Sequence, residues 1–162
     1  MINSTRLTIR PVQASDSEFL IALLNEPDFL SQIGDKKVRN TEDALHYMNE
    51  GPLKCQQEHG FSLMTVLLNN EQPIGLCGLL KRETLEHPDL GYAFLAKYYR
   101  QGFAFEAANA VLEHYSNISP LMAITSEGNI ASQSLLSKLG FQQQTQTEQE
   151  RLDQTSVFKL VR

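Results

Sequence analysis

Apolar and polar residues alternate near the start of the chain, where Leu7 and Ile9, continued by Val12, are separated by Thr8 and Arg10. A period of two predicts a strand over 7–11, stopped by Pro11. From Ala14-Ser-Asp16 the period lengthens to that of a capped helix carrying Phe19, Leu20, Leu23 and Leu24. Pro27 interrupts this pattern. Asn40-Thr-Glu-Asp43 opens a second helix with Ala44, Leu45, Tyr47 and Met48 as inward positions, and Gly51-Pro52 argues against its continuation. Two apolar runs, 61–68 and 74–80, flank a polar turn and predict a β-hairpin. After a polar connection comes a strand over 89–95 and a helix over about 102–116. On that helix Phe103, Ala107 and Val111, with Ala104, Ala108 and Leu112, form one broad apolar face. A strand at 121–125, a helix at 129–139 ended by Gly140, and a last strand pair over 142–147 and 155–161 complete the chain. The strand–helix–strand–helix order from 89 to 139 predicts a parallel pair inside an otherwise antiparallel sheet, an α/β (α+β) arrangement. With no repeat, low-complexity tract or linker, 1–162 reads as one domain.

Composition adds exclusions. The 41% apolar content is that of a globular core. A net charge of −5 without a basic run argues against nucleic-acid partners and is compatible with an amine-bearing one. Cys55 and Cys77 have neither metal-ligand nor Cys-x-x-Cys spacing, which fits reduced thiols and no metal. No signal-like N-terminus and no membrane-length apolar run are present, so the expectation is a cytoplasmic protein without membrane partners.

Candidate chemistry centres on Tyr99-Arg-Gln-Gly-Phe-Ala104, the turn between the 89–95 strand and the next helix. A helix that begins there leaves its first N–H groups without intrahelical partners, and those donors with the helix dipole favour an anion such as phosphate. Gly102 admits close approach of a ligand to the backbone, and Ala104 keeps bulk low. An ordinary strand-to-helix connection has the same appearance. No Gly-Lys-Ser/Thr and no Gly-x-Gly-x-x-Gly follows, which removes the nucleotide P-loop and the dinucleotide fingerprint.

Three ordered blocks go further. They are Gly91-Tyr92 with Tyr98, Gly102, Ala104 and Glu106-Ala107; Asn129-Ile-Ala-Ser132 ending in Lys138-Leu-Gly-Phe141; and Thr5-Arg-Leu-Thr-Ile-Arg-Pro11 followed by Asp16. Together they resemble the GNAT N-acetyltransferases, most of all the RimJ/RimL type that includes ribosomal-protein N-terminal acetyltransferases. The resemblance implies a mixed, strongly twisted, mostly antiparallel sheet of about seven strands with a splayed parallel pair, flanked by about four helices. It implies acetyl-CoA as cosubstrate, no metal, and direct transfer of acetyl to a primary amine in a ternary complex. The amine would sit on a protein N-terminus, a polyamine or another small molecule. A non-catalytic acetyl-CoA-binding sensor is the alternative, and exposed sheet edges would allow a homodimer.

By the same resemblance, the backbone at Phe94 and Leu95 runs along the pantetheine arm, with one N–H facing the acetyl oxygen. The loop Tyr99, Arg100, Gln101, Gly102, Phe103, Ala104 and Phe105 holds the pyrophosphate. Asn129 binds the pantetheine amide, Ser132 donates to the sulfur and Asp89 is the base. Two positions depart from the wider family: Tyr99 replaces a Gln or Arg, and Leu136 replaces a tyrosine that serves as acid, as is common in the RimJ/RimL type. The residues also admit plainer roles. Asn129 suits an N-cap, Ser132 an exposed first turn, Arg100 and Asp89 a solvated charge, and Glu106 a partner of the helix dipole. Tyr92 fits the core with its hydroxyl satisfied, or the acceptor channel. His46 and His87 qualify by residue type alone. The resemblance implies an acceptor cleft walled by 28–60 and the 147–155 turn, where Glu42, Asp43, Glu50, Glu148, Glu150 and Asp153 would make it acidic or would equally be solvated faces.

Overall fold

The computed structural model describes residues 1–145 and 154–162. Its eight strands are β1 (Ile2–Asn3), β2 (Leu7–Pro11), β3 (Leu63–Leu68), β4 (Pro73–Leu80), β5 (Asp89–Phe94), β6 (Leu121–Ser126), β7 (Gln142–Gln143) and β8 (Thr155–Leu160). They form one sheet in the order β1-β2-β3-β4-β5-β6-β8-β7, antiparallel throughout except for the β5–β6 pair. The helices are α1 (Ser17–Leu24), α2 (Pro27–Gln32), α3 (Thr41–Met48), α4 (Lys54–His59), α5 (Phe103–His114) and α6 (Ile130–Lys138).

Two apolar clusters sandwich the sheet. Phe103, Ala107, Ala108 and Val111 of α5, with Leu136 of α6, pack on Leu7, Ile9, Val66, Ile74 and Phe158. Phe19, Leu20, Leu23 and Leu24 of α1, with Ala44 and Met48 of α3, pack with Leu76 and Leu95 in the second cluster. A buried polar knot joins β2, β3 and the turn before α1. Both terminal nitrogens of Arg10 donate to Asp16 at 2.9 Å, and Thr65 Oγ1 and the Gln13 N–H donate to its Oδ2. Burial pushes the Asp16 carboxyl up, but these hydrogen bonds outweigh it and hold the group below the usual carboxylate range.

Several expectations need correction. The sheet has an extra strand, because Ile2 and Asn3 pair with Ile9 and Thr8; two residues are too few to show a period. Pro27 does not merely interrupt the helix but starts α2, as a proline at the first helical position lacks only an N–H that would be unpaired anyway. Pro52 does not end the second helix: a π turn over Asn49–Leu53 carries the buried proline, and the run continues into α4 until Gly60 adopts φ 77°. Asp16 makes no cap bond to α1, its oxygens being held in the knot. Leu45 is exposed. The strand expected over 142–147 covers Gln142–Gln143, with 144 and 145 outside it. The rest of that expectation and most of the 147–155 turn, with Glu148, Glu150 and Asp153, lie outside the described residues.

The parallel pair diverges. β5 and β6 share one register pair, Asp89 with Met122, supported by the Met122 N–H bonding Pro88 O at 2.8 Å. Their outer partners follow them along their length, so the gap lies between β5 and β6 alone. At its open end α2 spans the two strand ends. The Ala96 N–H bonds Glu26 Oε2 at 2.8 Å just before α2, and Ser126 Oγ bonds Gln32 O at 2.9 Å at its last residue.

Candidate active site

Beyond β5 the Leu95 N–H bonds Ile74 O at 2.9 Å, and a 3-10 turn over Ala96–Tyr98 leads into the loop. Arg100 (φ 59°) and Gly102 (φ 80°) take left-handed backbone, which reverses the chain into α5. The first loop-closing bond of that helix runs from the Glu106 N–H to Gly102 O at 3.0 Å. Among the described residues, the N–H groups of Phe103, Ala104 and Phe105 meet no protein acceptor. These amides are the donors that the sequence places at a phosphate site.

Arg6, to which sequence reasoning assigned no role, braces this turn from behind. Its Nη1 donates to Gln101 O at 3.0 Å, its guanidinium lies 4.3 Å from the Phe103 ring centroid, and its Nε donates to Glu106 Oε2 at 2.7 Å. A Cβ on Gly102 would lie 3.3 Å from Arg6 Nη2. The Arg6 N–H and Ser4 Oγ both donate to Glu106 Oε1. Burial pushes the Glu106 carboxyl up, yet these hydrogen bonds together hold it below its ordinary value. Glu106 is therefore tied to the chain's first turn. A contact about a hundred residues distant in sequence leaves no local pattern by which Arg6 could be found. From the other side Lys138 Nζ sits 4.5 Å from the Phe105 ring centroid, bringing the end of α6 to the first turn of α5. Gln101 Nε2 donates to Lys97 O, while Tyr99 and Arg100 are exposed.

The start of α6 faces the gap. Asn129 is its N-cap, with Oδ1 accepting the Ser132 N–H at 3.1 Å; among the described residues the Asn129 amide nitrogen makes no protein bond. Ser132 Oγ lies 2.7 Å from the Tyr92 hydroxyl of β5. Burial pushes the Tyr92 phenol up to about 12, with the Ser132 bond opposing. Leu136 is 1% exposed and part of the core. Phe94 and Leu95 bury their side chains in opposite clusters. Because the Leu95–Ile74 contact is hydrogen-bonded, antiparallel alternation turns the Phe94 N–H away from β4 and into the gap. The donor facing the gap at this level is thus that of Phe94, the Leu95 donor being taken.

Asp89 stands apart. It is 1% exposed, at the closed end of the gap, with Arg82 Nε 3.2 and 3.0 Å from its two oxygens. Burial raises its carboxyl above the ordinary value and Arg82 opposes this. Asp89 and Tyr92 are three positions apart, so the two side chains leave opposite faces of β5. The structure therefore gathers Phe94, the loop, Asn129, Ser132 and Tyr92, and leaves Asp89 outside that group. Within 28–60, a groove of about 410 Å³ is lined by Lys36, Lys37, Asp43, His46, Tyr47 and Glu50, of mixed charge and not simply acidic. His87 sits 3.4 Å from Glu86. Among the described residues no group of three or more His, Cys, Asp or Glu side chains could hold a metal ion, and no helix is long and apolar enough to cross a membrane.

Comparison with known proteins gives the family and the fold. Residues 6–142 match the model of the acetyltransferase (GNAT) domain. The uncharacterized N-acetyltransferase YoaA of Bacillus subtilis (strain 168) is 22% identical over 148 residues, covering 89% of this chain and 84% of its own. Among solved structures, the microcin self-immunity acetyltransferase MccE, in complex with acetyl-CoA and AMP, aligns with a TM-score of 0.80 at 15% identity over 98% of this chain and 93% of its own. RimL, a ribosomal alpha-N-protein acetyltransferase, aligns with a TM-score of 0.81 at 15% identity over 99% and 95%. At these identities the structural matches speak for the fold, while the domain match spans most of the chain, and the protein belongs to the GNAT acetyltransferase family.

Proposed function

We propose that the protein is an acetyl-CoA-dependent N-acetyltransferase of the RimJ/RimL type. It moves acetyl to a primary amine by direct attack in a ternary complex, and works in the cytoplasm. The observation that carries this reading is the set of unbonded amides opening α5 beside the β5–β6 gap, with Asn129 and Ser132 on the facing helix. In this reading the amides from Arg100 to Phe105, with Tyr99 at the loop entry, hold the diphosphate. The Asn129 amide binds pantetheine. The Phe94 N–H polarises the thioester carbonyl, the kind of preorganised donor that acyl transfer needs. Ser132 stabilises the departing thiolate by hydrogen bonding, since a serine hydroxyl is a poor acid. Asp89 stands outside the group that holds the thioester, so in this reading it receives the amine proton through waters and not by direct contact, its carboxyl being raised by burial. The acceptor class is a protein N-terminus, a polyamine or another small amine.

The test is incubation with acetyl-CoA and a panel of N-terminal peptides, polyamines and amino acids, reading thiol release and product mass. Acetylated product from at least one amine is expected, and no release above background with any would count against it. One observation favours a second reading: with Leu136 in the core, α6 offers no phenol at the place where a family tyrosine acts as acid. An acetyl-CoA sensor would then bind the cosubstrate tightly in calorimetry and turn over nothing.

A further inference from the structure

Ser132 has one O–H to offer, and a free hydroxyl rotor spends it in any of three staggered directions. In this structure its oxygen lies 2.7 Å from the Tyr92 hydroxyl, close enough for a strong O–H···O bond. Tyr92 also lies 3.4 Å from Ser132 O, a much weaker contact. The tyrosine comes from β5, where Cys77 faces it across the β4–β5 pair, and it packs against the cluster beneath α5 and α6. Among the described residues, the titratable group acting on Tyr92 besides Ser132 is Cys77, a buried thiol pushed up to about 12 and hence neutral. No charge therefore competes for the phenol, and it keeps its proton through the working pH range. A phenol held that weakly acidic is a steady donor and a poor source of protons.

We infer that Tyr92 is a positioning residue for Ser132: its O–H donates to Ser132 Oγ, occupies that acceptor site and turns the serine O–H into the β5–β6 gap, toward the sulfur of bound coenzyme A. When the C–S bond of the thioester breaks, the electron pair goes to sulfur, and the resulting thiolate accepts a hydrogen bond from Ser132, whose own oxygen is polarised by Tyr92. No proton leaves either residue. The pair supplies on β5 and α6 what Leu136 cannot. The inference rests on acetyl-CoA binding in this gap, as in the proposed function, but not on the identity of the acceptor.

The test reads the bound thiol directly, by following the ultraviolet absorbance of the thiolate while free coenzyme A bound to the protein is titrated with base. In the unaltered protein the bound thiol should be more acidic than in solution. S132A should remove that gain. Y92F should lose part of it, about tenfold in acidity, as expected for weakening one charge-assisted hydrogen bond. The double variant should match S132A alone, because Tyr92 acts only through Ser132. A bound thiol that titrates identically in Y92F and the unaltered protein, or a Y92F effect that adds in full to that of S132A, overturns the inference. Should Y92F not fold, 3-fluorotyrosine at position 92, a stronger donor, must make the bound thiol more acidic still, and an unmoved titration overturns the inference equally. Failure of every acceptor to become acetylated while the thiol titrates as expected would sink acetyl transfer and leave the Tyr92 assignment standing. A protein that binds no coenzyme A would sink both.

Discussion

Asn129 uses the two ends of one amide for different purposes. Its oxygen caps α6, and its nitrogen is left for pantetheine in the proposed reading. Asn129→Asp keeps the acceptor and removes the donor, so KM for acetyl-CoA should rise about tenfold with the unfolding midpoint unchanged, the size expected of one hydrogen bond. Asn129→Ala should in addition cost about 1 kcal/mol of stability through the lost cap. Steady-state kinetics beside thermal unfolding separate the two, and an unchanged KM in Asn129→Asp would leave the residue as a cap alone. Asp89→Asn asks a similar question of the base. It preserves shape and an acceptor for Arg82, so kcat should fall about a hundredfold if the carboxylate takes the proton. A kcat that does not move would make the Arg82–Asp89 pair structural. The cap at Asn129 was legible because a cap and its first turn are local in sequence, whereas the cofactor roles of Asn129 and Ser132 came from the family resemblance. Arg6 and the Tyr92–Ser132 pair were not legible, since each joins residues far apart in the chain.

The opening of α5 is where one element carries the most function. Gly102 is left-handed there, and a Cβ would strain the backbone and press on Arg6 Nη2. Gly102→Ala should cost about 1 kcal/mol of stability and weaken coenzyme A binding at least tenfold. Arg6→Ala should also weaken binding while leaving the amides chemically intact, because it frees Gln101 O, Phe103 and Glu106 at once. Calorimetry on both variants checks this, and wild-type affinity in both would remove the loop from the cofactor site. The strand, turn and helix of this element were readable because glycine, the apolar face and the missing N–H partners are all local facts. α2 was not, because its six residues carry only Phe29 to the core and Pro27 is equally a stop and a start. Nor was the π turn, whose accommodation of Pro52 depends on burial that the sequence does not display.

Across the whole molecule, the order of the longer strands and helices was recoverable from periodicity, and with it the parallel pair, while β1, α2 and α4 were not; the divergence of that pair and the bridge made by α2 depend on contacts between distant segments. Acid stability is set at this scale too. Asp16 and Glu106 are held below their unfolded values, so the stability they add is complete above the unfolded carboxylate range and is lost as pH falls from there through their folded values. Asp89 has the opposite sign: burial raises it, so its contribution is complete at acid pH and is lost as pH rises through its folded value. Denaturant unfolding should show the contribution of Asp16 and Glu106 as stability lost when pH falls below the unfolded carboxylate range. Asp16→Asn should flatten that loss and lower neutral-pH stability by about 1–3 kcal/mol, because the half-buried Arg10 loses its charge-assisted partner. An acid limb identical to that of the unaltered protein would contradict the knot's part in it. The most direct test of the account as a whole is a crystal structure with coenzyme A bound. It should show the diphosphate within hydrogen-bond distance of the N–H groups of Gly102 to Phe105 and the thiol end between β5 and β6 beside Ser132. A ligand seated elsewhere, or those amides left without it, would contradict the account.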